Sequence, residues 1–585
     1  MASNSSDDSQ ATVMPLSAHT WFSLPYATVL LAIVFISLAV LSPRASERLF
    51  GLVEEFFSRL ASYRILAIFF LFVLVVTLRL ALLNQLPIPN PGIHDEFSYL
   101  LMGDTFARGR LANPTHPLWR SFETFHVLWF PTYASKYPPA QGLTLAVGQI
   151  LGHPWIGVLL SAATMAAAFV WMLQAWIPAR WAFLAGVLAA IRICVASYWI
   201  NSYWGGAVAA IGGALVLGSF GRLRRKPLVL HGILLGFGVA ILLNSRPYES
   251  VFFCIPIGIA LLLLFLKTPD AKQRSAWSKA VLSTAVIVLI TVSGMAFYNW
   301  RVAGNPLHPP FTQATRLQDR SAIFLWQAPK PPVHYGVAEL DYFYNQSDVV
   351  RYDRTWSALW SAFQEKLQRC EAVFFWPACW FLLPGALWLY RDRRLRLILL
   401  ALLATVFGYC LVVWPGPHYL APAAGAWFAL LAQSVRHLRA FRPFRRPIGA
   451  ALSRVVLIAL VFDVSDLVLR RIGDPRGWGG WGIYERAELR DALESTPGKH
   501  LVLVQYDPGH DVNEEWVFNS ADIDASKIIW ARDLPGERND RLLAYYPDRT
   551  IWRVTVTPET DQVARLRVPL TRRTPDTKAV DLHKP

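Results

Sequence analysis

Charge is what this sequence has least of. Only 16% of its 585 residues are Asp, Glu, Lys or Arg, against about 25% in an ordinary soluble domain, which excludes a string of water-soluble domains. Cysteine is equally sparse. Cys194, Cys254, Cys370, Cys379 and Cys410 have no CxxC or metal-like spacing, and three sit inside apolar runs, which argues against a disulfide scaffold. Residues 1–20 lack the Arg or Lys of a cleavable leader, and no internal repeat is visible. Nucleic acid is not an expected partner despite a net charge of +16. The Lys and Arg residues cluster between apolar segments, where they set topology against anionic headgroups.

What is present is apolar. Hydrophobic residues make up 54% of the chain and fall in runs of roughly 16 to 23, the length that crosses a bilayer. Expected spans are 26–41, 65–83, 155–176, 181–199, 205–220, 228–243, 251–265, 281–298, 374–389, 397–414, 419–432 and 454–469. Threaded once each, they put Arg180 and the basic clusters at 222–226, 267–279, 391–396 and 436–446 on one side, the cytoplasmic one. The opposite side receives 87–154, 201–204, 244–248, 299–372 and 414–418. Four units follow: residues 1–64, a tail, first helix and basic linker; 65–470, a transmembrane module with external loops 86–154 and 299–372; 471–560, a small soluble domain; and 561–585, a tail expected to be disordered. In the third unit, alternating runs at 500–506 and 551–556 and a helical pattern over 484–495 indicate an α/β fold. The expected architecture is a polytopic α-helical membrane protein of about 12 transmembrane helices with a small extracytoplasmic α/β domain.

The chemistry gathers in 87–149, a polar and aromatic stretch between apolar runs. Residues 96–108 and 139–150 fit two helices lying in the interface, the second started by Pro138-Pro139. Asp95 and Glu96 open the first. Carboxylates there can simply cap exposed amides; the sharper reading makes one a general base. Asp95 is preferred, because adjacent helix positions point about 100° apart. Lys136, in Lys136-Tyr137-Pro138-Pro139, either snorkels or holds a lipid phosphate. Arg192 and Arg246 lie in or at the ends of spans, where an unpaired cation is costly and marks function. Arg246 could pair with Glu249 or fork onto a phosphate. Arg301, Tyr203 in 201–206, and His418 and Tyr419 in 414–419 complete the outer-face set.

With its acidic residue in the first external loop, His94-Asp95-Glu96-Phe97, and its Lys136–Pro139 segment, the chain resembles the GT-C membrane glycosyltransferases. The likeness is to bacterial relatives of dolichyl-phosphate-mannose protein mannosyltransferases and of lipid A aminoarabinose transferases. It implies a bacterial inner-membrane enzyme whose active site faces outward, taking sugar from a polyprenyl-phosphate donor to a protein, lipid or envelope-glycan acceptor. It assigns the base to Asp95 and the lipid phosphate to Lys136, Arg246 and His418; Glu96 is kept beside the base, and Arg192, Tyr203, Arg301 and Tyr419 beside the phosphate, as candidates from their own positions in the sequence. No metal is expected, since His94-Asp95-Glu96 alone is not a divalent centre. Two other readings remain open. A secondary transporter would show matched halves and midplane polar residues, and a lipid-linked oligosaccharide ligase or polymerase would require a diphosphate donor.

Overall fold

The computed structural model describes residues 26–195, 197–347, 355–471 and 483–557. The tail expected beyond residue 560 and the junction near residue 472 lie outside them. The chain is mostly helical. The first helices are α1 (Tyr26–Leu41), α2 (Pro43–Ser62), α3 (Arg64–Ala81), α4 (His94–Ala107), α5 (Pro139–Ile150), α6 (Pro154–Leu173) and α7 (Ala179–Arg192). Then come α8 (Ala207–Leu223), α9 (Val229–Leu243), α10 (Pro247–Leu266), α11 (Ala271–Ala303), α12 (Pro310–Leu317), α13 (Ala338–Tyr342) and α14 (Trp356–Phe374). Last are α15 (Leu383–Ala386), α16 (Arg396–Leu411), α17 (Ala424–Arg439), α18 (Ile448–Arg471), α19 (Tyr484–Ser495) and α20 (Glu537–Tyr545).

Among the described residues, four helices (α3, α6, α10 and α11) are long and apolar enough to cross a membrane, and five shorter apolar stretches accompany them. Most of the expected spans thus exist as helices, though several lack a full crossing length. On α11, Leu282, Val286, Leu289 and Ile290 are all exposed, an outward apolar surface suited to hydrocarbon rather than water. At the centre of the bundle α6 packs on α3, α5, α7 and α8 through buried Ala162, Ala163 and Ala166, whose small side chains let helix axes approach. The α5–α6 approach is tighter still. A Cβ on Gly157 would sit 2.0 Å from the Thr144 carbonyl oxygen, so glycine there fixes where α5 lies.

Three expectations change. Residues 374–389 form no continuous span; they break into 3-10 turns at Pro377–Leu382 and Leu389–Arg391 around the single turn α15, because Pro377 and Pro384 withhold donors. The span expected at 181–199 stops at Arg192. The basic linker is itself a helix, α2, whose Glu54 is held by Arg439 (2.7 Å) and Arg454 (3.0 Å). All five cysteines are free.

The strands are β1 (Val127–Leu128), β2 (Ala134–Ser135), β3 (His500–Tyr506), β4 (Ile528–Arg532) and β5 (Thr550–Val556). The last three form a parallel sheet ordered β4-β3-β5; β4 and α20 had no counterpart in the sequence reading. Residues 500–504 of β3 are buried without alternation, as in a parallel strand covered on both faces. One cover contains α19, with Phe97 of α4 stacked on Phe518 at 4.2 Å. The other is the 86–154 segment: Leu101, Phe122, Val127, Trp129 and Tyr133 share a core with Leu501, Leu503 and Ile529. The sheet is therefore folded onto the loop that carries Asp95.

Candidate functional site

The site begins at the N-terminus of α4, where two adjacent carboxylates part company. Glu96 turns back into the chain. Its Oε2 accepts from the amides of Gly92 (2.9 Å) and Ile93 (3.3 Å), and its Oε1 from the amide of Tyr203 (2.8 Å). Burial pushes its carboxyl up to about 7 against those donors. Glu96 thus does the capping work and ties α4 to residues 201–206. Tyr203 is used in the same tie, its hydroxyl donating to the Pro89 carbonyl at 2.9 Å.

Asp95 points elsewhere. Its Oδ1 accepts the Tyr137 hydroxyl, and its Oδ2 lies 3.2 Å from His94 Nδ1 and 3.9 Å from His126 Nε2. Burial would raise this carboxyl, but the imidazoles of His126 and His94 and the Tyr137 hydroxyl hold it well below the usual carboxylate range. Asp95 is therefore an ionised carboxylate at neutral pH.

A small hairpin delivers the partners. Antiparallel β1 and β2 bring His126 beside Lys136, whose amide donates to the His126 carbonyl at 3.2 Å. Ser98 of α4 pins it, donating to the same carbonyl at 2.8 Å and lying 2.7 Å from the Ser135 hydroxyl. Lys136 Nζ sits 3.8 Å from Asp319 Oδ2, both buried, and 5.6 Å from the centre of the Tyr137 ring. The 299–372 segment thus supplies an internal counter-ion for this lysine.

Arg246 comes from the α9–α10 connection, which Asn244 fixes by accepting the Ala140 amide of α5 at 2.9 Å. Its guanidinium lies over the Tyr419 ring at 4.8 Å. Among the described residues it has no ion-pair partner within 4 Å, so the pairing with Glu249 is not made. It lines a narrow cleft with Tyr99, Pro138, Gln141, Gly205 and Ser245. Tyr99 joins the two halves, because it faces that cleft and stacks on Tyr137 at 4.4 Å, the residue that holds Asp95. His418 lies behind, its Nδ1 2.9 Å from the Tyr198 hydroxyl and its ring packed between Trp204 and Tyr419.

Two of the sequence-selected cations are not brought here. Arg192 is clasped by Asp463 (2.7 Å) and by the carbonyls of Ala372 (2.7 Å) and Val373 (3.2 Å), so its deep charge is satisfied within the bundle. Arg301 is exposed on the last turn of α11.

No family model and no curated protein matches the sequence. The chain is, however, similar in fold to solved structures. It is similar to the oligosaccharyltransferase of Archaeoglobus fulgidus tethered with an acceptor peptide, at 13% identity and TM-score 0.46, over 84% of this chain and 69% of that one. It is also similar to ArnT from Cupriavidus metallidurans bound to undecaprenyl phosphate, at 14% identity and TM-score 0.45, over 83% of this chain and 92% of that one. Likeness at this level carries no chemistry, which has to come from the side chains.

Four of those side chains were given no role by the sequence reading. Tyr99 and Tyr137 are aromatic residues among many. Asp319 lies far along the chain from Lys136, in another loop. His126 is placed by a left-handed backbone, φ +60°, that no motif announces.

Proposed function

We propose that this protein transfers a sugar from a polyprenyl-phosphate donor to an acceptor at the extracytoplasmic face of a bacterial inner membrane. The observation that carries the reading is Arg246, a cation without an ion-pair partner lining a cleft that Tyr99 and Tyr137 connect to an ionised Asp95. A guanidinium at the end of a membrane helix is costly unless an anion meets it, and its planar fork fits phosphate. The phosphate is the leaving group of such a donor. Arg246 stabilises the charge that develops on it, and no general acid is required. Asp95 takes the proton from the acceptor nucleophile as it attacks from the opposite face, which inverts the anomeric centre. Both reactants are confined to the membrane surface, which supplies proximity. Lys136, balanced by Asp319, tunes the field from beside His126. The outward orientation follows from the basic clusters at the other ends of the helices. The acceptor is a protein, lipid or envelope glycan.

The test is transfer of label from radiolabelled polyprenyl-phosphate sugars by purified protein in membranes that supply native acceptors. Transfer by the parent, a loss of about 10²- to 10⁴-fold in Asp95→Asn and retained donor binding in that variant are expected. Transfer only from diphosphate-linked oligosaccharides would replace this reading with a ligase. Movement of a soluble solute without any transfer would replace it with transport.

A further inference from the structure

At the end of the bundle opposite Asp95, α9 and α11 build a groove that sugar transfer does not use. The last turn of α11 is tied to the site end, where the Val302 carbonyl accepts the Thr132 hydroxyl at 2.7 Å. Lys279 precedes Val302 on the same helix by about 35 Å of axial rise, slightly more than the roughly 30 Å of a hydrocarbon core. Its ammonium therefore stands at the other membrane surface. From it runs a groove of about 420 Å³, lined by Ile233 of α9 and by Lys279, Leu282, Ser283, Val286 and Ile287 of α11. The floor is held rigidly. A Cβ on Gly232 would stand 2.1 Å from the Ala280 carbonyl oxygen, and the Thr284 hydroxyl donates to the Gly232 carbonyl at 2.8 Å. The rim is apolar and faces outward, with Leu282 and Val286 exposed. At the mouth the chemistry changes sign. Lys279 is exposed and has no ion-pair partner within 4 Å among the described residues, and residues 267–279 carry Lys267, Lys272, Arg274 and Lys279 against Asp270 alone.

We propose that this groove seats one anionic phospholipid of the membrane surface opposite Asp95, its acyl chain lying along Leu282, Val286 and Ile287 and its phosphate paired with Lys279. A lysine that only snorkels reaches water and needs no groove beneath it. Here an apolar channel and a cation are joined end to end, which matches a lipid's own division into chain and headgroup. The local excess of positive charge selects an anionic headgroup over a zwitterionic one. The sugar donor is a different lipid, because its phosphate belongs with Arg246 at the far end of the bundle. Binding here does not depend on the transfer reading, and its test reads lipid rather than sugar.

The test uses the full chain purified in detergent and titrated with dioleoyl-phosphatidylglycerol, its adducts counted by native mass spectrometry. One tightly held lipid is expected, with dioleoyl-phosphatidylcholine bound about fivefold more weakly, the worth of one lysine at an anionic surface. Lys279→Gln should lose that same factor and Lys279→Arg should keep it. Val286→Trp, which lays a ring across the groove, should weaken binding about tenfold, as loss of two buried methylenes does. Arg393→Gln removes an exposed cation from another basic cluster assigned to the same face and should change nothing. Equal affinity for the two lipids, unchanged affinity in both Lys279→Gln and Val286→Trp, or an equal loss in Arg393→Gln overturns the proposal. Should the variants fail to fold, the parent chain decides with a phosphatidylglycerol carrying a diazirine in one acyl chain. Label on peptides of α9 or α11 that undecaprenyl phosphate does not displace supports the site. Label elsewhere, or displacement by undecaprenyl phosphate at equal concentration, overturns it.

Discussion

Two regions of this molecule bury comparable amounts of charge and resolve it in opposite ways. In the C-terminal sheet, Arg532 and Glu515 meet at 2.5 Å with 3% and 1% of their side chains exposed. Arg532 also donates to the Glu123 carbonyl at 2.7 Å and pairs with Glu339 at 3.3 Å. Glu515 accepts from the Tyr506 hydroxyl and the Val517 amide. The chain itself meets the desolvation cost of these groups. Around α4, by contrast, Arg246 lies against the Tyr419 ring and has no ion pair within 4 Å among the described residues. A protein that can satisfy one buried arginine so completely and leaves another unpaired beside a cleft has kept the second for something outside the chain.

That contrast breaks most sharply at Arg532. Arg532→Ala strands Glu515 in the interior and should cost about 3–5 kcal/mol, read as a lowered denaturation midpoint with loosening of the sheet on the 86–154 segment. Arg246→Ala should do the reverse. Its denaturation midpoint should change little, while affinity for a polyprenyl-phosphate lipid falls by about 1.5–3 kcal/mol, the worth of charge-assisted hydrogen bonds, measured by lipid binding to purified protein. An equal loss of stability in both variants would erase the distinction between the regions. Glu96→Gln falls between them. One oxygen of the amide can still accept, but its NH₂ faces a backbone donor, so a loss of about 1–3 kcal/mol in stability is expected, checked by chemical denaturation.

The sequence reveals some of this and conceals the rest for physical reasons. Helices α4 and α5 were legible because Pro138-Pro139 fixes a start and Asp95-Glu96 marks a first turn; α5 begins at Pro139 as expected, and α4 begins at His94. The strand at 500–506 announced itself through Leu and Val, whereas β4 spans only five residues, too few for a period to show. Residues 374–389 are apolar enough to imitate a span, and composition outweighed two prolines. The arginines show the deeper limit. Arg192 and Arg246 stand in similar apolar surroundings, and what separates them is Asp463, which lies 271 positions after Arg192. Partners so distant in sequence exist only once the bundle has folded, and the same holds for Asp319 beside Lys136 and for His126 beside Asp95.

The smallest effect tests how firmly the sheet is docked on the loop. His116 of the 86–154 segment lies 3.2 Å from Asp524 and 3.1 Å from the Tyr546 hydroxyl through Nε2, while its Nδ1 accepts the Leu118 amide at 2.9 Å. Protonating the ring would forfeit the Leu118 bond. Burial lowers the affinity of His116 for a proton further, and Asp524 only partly opposes it, so the folded value lies below the ordinary one. The unfolded chain therefore takes up this proton first. The contribution is full above about pH 6.5 and declines as pH falls below it. Asp524 shifts in the same sense. Burial raises its carboxyl, but Tyr546 and His116 together hold it below its usual range, so its share persists above about pH 4 and is lost on further acidification. Because Asp524 is half exposed, the pair contributes no more than about 1 kcal/mol. Denaturation midpoints measured from pH 7 to pH 4 should fall shallowly, and His116→Asn should flatten the upper part of that slope. A slope unchanged in that variant would mean that other groups set the acid sensitivity and that the sheet is held on the loop by its remaining contacts, the Arg532–Glu123 bond among them.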